Sequence, residues 1–234
     1  MKPHRALGAL LCAAVLASCD KSAVQEITGP VAGARVKFFN CGVGAPGVNF
    51  YANSTKMTAI TSASGAEPTT GTVYGGVGSG GFYSAIVPGQ YSLEGKIAAA
   101  TDKDLAVAKV TATIAAGKNY SFYMSGLYNT TAKTVEGFVV EDPFVATLDD
   151  AVAYVRFVHA ISNANPMTLY VKNTTTGTEV ALGTAVAYKA AGEFKTVPNG
   201  LYDVSTRYAG AATNAISRTA VLQPCSERAR GARN

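Results

Sequence analysis

The feature that most constrains this chain is an internal repeat. Arg35–Tyr51 reads RVKFFNCGVGAPGVNFY and Tyr154–Tyr170 reads YVRFVHAISNANPMTLY, aligned without a gap at a constant offset of 119 residues. Each copy is a short run of alternating polarity, a turn-rich loop, and a second alternating run that ends in Tyr. Alternation at period two is the signature of a half-buried strand, not of a helix. The chain therefore has to fold as two tandem modules built largely from strands.

Composition agrees. The 234 residues are 48% hydrophobic and only 15% charged, with 24 Gly and 12 Tyr. Few charges leave little to solvate long exposed helices, and the apolar content is too high for a disordered chain. The formal charge of +5 falls by two if Lys2 and Arg5 are removed with a leader. Much of the rest sits at Arg228, Arg230 and Arg233. No basic stripe is interleaved with aromatics, so nucleic acid is not an expected partner.

In the first module, residues 34–142, Val36 and Phe38 fall on one face and Arg35 and Lys37 on the other, with Phe39 breaking the polar face. Cys41–Gly47 (CGVGAPG) is turn chemistry, after which Val48 and Phe50 point inward and Asn49 and Tyr51 outward. Asn53–Thr72 is polar and reads as a long connection. Gly75–Gly81 (GGVGSGG) has a phosphate-loop composition. It lacks the following helix and the Lys-Ser/Thr pair that such a loop needs, so a hairpin is expected. Phe82–Val87, a turn at Val87–Leu93, Leu105–Ile114, Tyr120–Met124 and Val135–Val140 complete about seven strands, the number and spacing of a sandwich.

A linker, residues 143–152, follows. In the second module, residues 153–234, Val155, Phe157 and His159 fall where Val36, Phe38 and Asn40 stand. Met167 and Leu169 replace Val48 and Phe50. Val197–Val204 mirrors the Val87–Leu93 turn with one residue added, and Thr219–Leu222 matches Thr111–Ile114. There the copy fails. Cys225–Asn234 (CSERARGARN) has no alternation, so the second module is expected to be short by about two strands. A truncated or shifted reading, a strand from the first module, or a strand from a partner would each account for it, the first being favoured. An unpaired edge is a hazard that folded proteins manage.

The N-terminus carries an address. Lys2 and Arg5 precede the 11-residue apolar run Leu7–Ala17, too short for a permanent bilayer span. Leu16-Ala17-Ser18-Cys19 resembles the bacterial lipobox, in which the Cys thiol is diacylated before cleavage ahead of it. That resemblance implies a signal peptide at residues 1–18, lipidation at Cys19, a spacer at 19–33, and membrane attachment in the bacterial cell envelope. Asp20 resembles an inner-membrane retention signal, a rule that varies between bacterial groups, so the leaflet stays open.

Residues with chemistry are few. His159 is the one His beyond the leader. It shares parity with Val155 and Phe157, and no nucleophile, orienting acid or ligand set can be placed beside it by motif. It is expected to be a partly buried structural residue, and no catalytic, metal or cofactor residue is expected. Cys41 and Cys225 can form a disulfide in an oxidising compartment, or remain apart. Asp142, Asp149 and Asp150 lack an Asp-x-Asp-x-Asp-Gly loop and read as a solvated acidic turn. Tyr51, Tyr74, Tyr83, Tyr91, Tyr170 and Tyr202 read as strand residues rather than a sugar platform. Asn53, Asn129 and Asn173 match glycosylation acceptors by chance in Thr-rich loops.

At Val155–Ala160 (VRFVHA), followed by a Pro-bearing loop and Leu169–Val171 (LYV), the second module resembles the bacterial family called domain of unknown function 4397. Arg156 to Ala160 match that family's opening, while Ile161-Ser162-Asn163 departs from its Ser-Pro. In the first module Lys37–Cys41 matches loosely and has no His, and Pro88-Gly89-Gln90-Tyr91 matches the later turn. The resemblance spans nearly all of residues 34–224. It implies exported, often tandem, β-sandwich modules and lends no activity. The expected fold is thus all-β, two tandem immunoglobulin-like or transthyretin-like sandwiches. The expected function is a non-catalytic binding or structural role with a protein or polysaccharide partner. The alternatives are an envelope enzyme or its accessory domain, with residues converging on His159, and a subunit completed by a partner's strand.

Overall fold

The computed structural model describes residues 33–58, 69–145 and 147–222. Within them the chain is all β, apart from a 3-10 turn at Gly78–Gly81. The first eight strands are β1 (Ala34–Val43), β2 (Val48–Ala52), β3 (Thr55–Lys56), β4 (Ser84–Ile86), β5 (Gly89–Ile97), β6 (Ala106–Ile114), β7 (Asn119–Asn129) and β8 (Thr134–Glu141). They form two four-stranded sheets, β4-β1-β7-β8 and β3-β2-β5-β6. The β1–β7 pair is parallel, with Phe38 beside Phe122 and Asn40 beside Met124.

The inward residues of both sheets meet in one core. Phe38, Phe50 and Phe122 are almost wholly buried. Phe38 stacks on Phe50 at 5.2 Å between centroids, and Phe122 meets both edge-on at 6.3 and 5.6 Å. Burying such a side chain contributes about 1.5–3 kcal/mol, and aromatic pairing adds to that. Val36, Val48, Leu93, Ile114 and Met124 complete the layer.

Six further strands follow: β9 (Val152–Val155), β10 (Met167–Asn173), β11 (Glu179–Ala181), β12 (Lys195–Pro198), β13 (Gly200–Tyr208) and β14 (Ile216–Leu222). They form a four-stranded sheet, β11-β10-β13-β14, and a two-stranded one, β12-β9. The registers reproduce those of β1–β6. Val48 faces Ile97 as Met167 faces Tyr208, and Ser92 faces Thr111 as Asp203 faces Thr219. Strands β9–β14 are therefore β1–β6 over again. Among the described residues nothing corresponds to β7 and β8, which is where the sequence pattern fails.

Several expectations need correction. Cys41–Val43 belong to β1 rather than to a turn, because their ladder with Ser125–Leu127 continues through the paired glycines Gly42 and Gly126. Only Gly44 in that loop takes a positive φ. Gly47 is required for a different reason: a Cβ there would collide with the Thr70 carbonyl. Asn49 and Tyr51 are buried rather than outward, Tyr51 lying under the ammonium groups of Lys56 and Lys96. The two later turns have equal lengths. Gly200 stands for Gly89 and Tyr202 for Tyr91, and each Tyr hydroxyl donates to the carbonyl four residues back, Val87 or Pro198. Asn199 therefore replaces Pro88, with no inserted residue. The glycine-rich stretch closes as the 3-10 turn rather than as a hairpin, with Ser79 and Gly80 left-handed.

Candidate functional site

His159 is buried, and both ring nitrogens are spent on the main chain. The Ile161 N–H donates to Nδ1 at 3.3 Å and Nε2 lies 3.2 Å from the Asn165 carbonyl. This pattern requires the neutral tautomer with its proton on Nε2. Asn40 does the same work 119 residues earlier. Its Oδ1 accepts from the Gly42 N–H at 3.1 Å and its Nδ2 donates to the carbonyls of Pro46 (3.4 Å) and Thr72 (2.9 Å). In both modules the side chain takes the N–H two residues on and gives to the C=O six residues on. His159 is thus a loop clamp.

The surrounding backbone repeats as well. Asn40 exchanges bonds with Gly76 and Gly75, and His159 with Ala190 and Lys189. Gly75 and Lys189 both have positive φ. Tyr188 accordingly occupies the place of Tyr74. Tyr74 is exposed, whereas Tyr188 docks on the outer face of β7 and β8. Its hydroxyl donates to Glu136 at 2.6 Å and lies 2.9 Å from Ser125 Oγ. Its ring meets Phe138 and His159 edge-on, each at 6.3 Å. Burial and the neighbouring Glu136 raise the Tyr188 hydroxyl to about 12. The Tyr188 bond, with Lys189 nearby, holds the Glu136 carboxyl below its usual range.

A second contact of this seam lies at Asp142, which is buried and not part of a solvated turn. Its carboxylate accepts from Tyr83 (2.7 Å), Ser121 (2.6 Å) and Arg156 (2.5 Å). Arg156 also donates to the Glu141 carbonyl at 2.9 Å and lies over the Phe194 ring. Lys37 lies over Tyr83 in the equivalent place of the first module. Burial first, then Asp142, pushes the Tyr83 hydroxyl far up. With every Asp142 oxygen engaged, this carboxylate is not free to hold a cation. Among the described residues no cluster of three or more His, Cys, Asp or Glu is arranged to hold a metal.

The other sequence candidates are dispersed. Tyr51, Tyr91, Tyr170 and Tyr202 sit on different strands of the two sheets, Tyr202 buried and Tyr170 under Arg207. Asn53 accepts from the Ser92 N–H, and Asn129 and Asn173 each accept two N–H groups of their own turns. Asp149 closes a turn by accepting from Ala151. Cys41 is half-buried, and burial raises its thiol. Cys19 and Cys225 lie outside the described residues. A polar face of about 610 Å3 on β10, β11, β13 and β14 carries Lys172, Glu179, Asp203, Arg207 and Arg218. Within it Arg207 pairs with Glu179, and Asp203 accepts from the Thr219 hydroxyl.

The residues that sequence reasoning missed are Tyr188, Glu136, Ser121 and Ser125. Each looks like an ordinary strand or turn residue. Only the repeat, carried on to the Tyr74 turn where the offset has shortened to 114 residues (188 − 74), points toward Tyr188.

One side of the second module is open. Val155, Phe157, Val204 and Leu222 are partly exposed where Val36, Phe38, Leu93 and Ile114 are buried. The buried cluster centred there is small: Ala153, Val171, Val197 and Tyr202. Phe157 and His159 turn their bonding groups toward Gly192, Ala190 and Lys189, so the intervening Val158 and Arg156 point theirs the other way. Among the described residues those groups have no backbone partner. A groove of about 470 Å3, lined by Val43, Leu127, Phe157, Val158 and Ile161, flanks this edge.

A scan of the sequence against known protein families matches none, and no curated protein matches it.

Proposed function

We propose that this chain is a lipid-anchored protein of the bacterial cell envelope whose paired sandwich modules serve a non-catalytic binding or structural role. The observation that carries the reading is the commitment of its reactive side chains. His159 is spent on a loop clamp, and Asp142 and Glu136 on the seam. A buried His with both ring nitrogens bonded to main-chain groups has neither one free to face a substrate. The Leu16–Cys19 motif supplies the anchor, and the resemblance to domain of unknown function 4397 supports an exported tandem module. One acyl chain, at about 0.8 kcal/mol per buried CH₂, holds a protein only marginally; the several chains of a lipoprotein hold it durably.

The test is metabolic labelling with radioactive palmitate in a bacterial host, with fractionation. Label at the mature protein and recovery with membranes are expected, both lost in Cys19→Ala. Unlabelled protein in the soluble fraction would overturn the anchor.

A further inference from the structure

We propose that the second module accepts a β-strand from another polypeptide along the free edge of β9, parallel to it, with a large apolar residue at the place of Phe122 and a small one at the place of Met124. This rests on the binding role argued above and names the kind of partner. The first module shows what covers such an edge. There β7 runs parallel to β1, and Phe122 and Met124 enter the core beside Phe38 and Asn40. The corresponding line in the second module is Phe157 and His159.

The two places differ in size. Around Met124 the first module keeps Val48 and Gly95, and a Cβ on Gly95 would stand 3.0 Å from the Met124 sulfur. The second module has Met167 for Val48 and Thr206 for Gly95, by the registers of β10 and β13. Both are buried, so the Met124 place is already partly filled. Thr206 Oγ1 is buried and has no hydrogen-bond partner, a group that costs stability until something bonds it. In the first module Phe122 lies against Phe38, Phe50 and Val110; their counterparts are the partly exposed Phe157, the buried Leu169 and the exposed Arg218, so the Phe122 place stays open. The occupant therefore needs bulk at the first place and a small residue two positions on, Ser being best because it can bond Thr206.

The strand is assigned to another polypeptide because the strands in the described residues are already paired in sheets. Strand addition of this kind takes its affinity from main-chain bonds and its specificity from alternate side chains.

The probe is the β7 peptide, Asn119–Asn129, synthesised with Ser at the Met124 position. It is titrated into the mature chain purified in detergent, and read by fluorescence anisotropy and amide hydrogen exchange. Saturable binding is expected, with slowed exchange at Arg156 and Val158. A second peptide that also replaces Phe122 by Ser is expected to bind at least about tenfold more weakly. In Thr206→Gly, the native Met-containing peptide is expected to gain at least about fivefold over its affinity for the unaltered chain, a size preference that non-specific sticking would not produce. Arg156 and Val158 amides already protected without peptide would overturn the proposal, as would equal binding of both peptides or none. A negative peptide result with intact palmitate labelling removes only the strand; loss of labelling with intact peptide binding removes only the anchor.

Discussion

The equivalence of His159 and Asn40 makes a sharp prediction about substitution. In His159→Ala the Ile161 N–H and the Asn165 C=O lose their partners and the ring leaves a void. Two lost hydrogen bonds at about 1 kcal/mol each, plus the void, give about 2–4 kcal/mol. For a domain of 150–250 residues each kcal/mol moves Tm by about 2–4 °C, so the expected drop is about 5–15 °C. His159→Asn supplies an acceptor and a donor in the arrangement that Asn40 already uses. It gives up only ring packing, and the expected cost is about 1 kcal/mol. Thermal unfolding of the purified chain, followed by circular dichroism, separates the two. The clamp reading would be refuted if His159→Asn fell as far as His159→Ala, or if His159→Ala were neutral.

Asp142→Ala leaves Arg156 buried without its counter-charge and is expected to cost about 3–5 kcal/mol, most of it recovered in Asp142→Ala/Arg156→Met; a double-mutant cycle in urea measures the coupling. Glu136, lowered from 4.5 by its Tyr188 bond, contributes stability that is whole above 4.5 and is lost as pH falls through its folded value. An acid titration of Tm should therefore flatten in Glu136→Gln. On the alkaline side the sign reverses. Tyr123 and Tyr188 are raised from 10 to about 12, so their contribution is full below 10 and lost as pH rises toward 12. Ultraviolet titration of tyrosinate should show these hydroxyls ionising after the exposed ones. Gly47→Ala drives a methyl group into the Thr70 carbonyl and should lower expression and Tm far more than Gly44→Ala, whose Cβ meets only open space but whose positive φ still carries a strain of about 1 kcal/mol.

Much of the fold was legible because period-two alternation reports which face of a strand is buried. Val36 and Phe38, and Val48 and Phe50, were read as inward and are buried. The errors arose where a partner decides. Tyr51 looks outward in sequence, yet two lysines cover it. Cys41–Val43 read as a turn because glycines weaken the local signal, while β7 pairs them regardless. Asp142 read as solvated because its three partners lie 14, 21 and 59 residues away.

By itself the sequence determined that the chain repeats, that both copies are β, and that Asn40 and His159 hold the same place, because period and offset are properties of residue order. Only the tertiary structure decided what those places do. The clamp depends on which carbonyl a ring nitrogen reaches. The Asp142–Arg156 seam depends on two elements meeting across the linker. The open edge of β9 exists because strand partners are chosen by geometry, and along that edge no described residue takes the part that β7 plays beside β1.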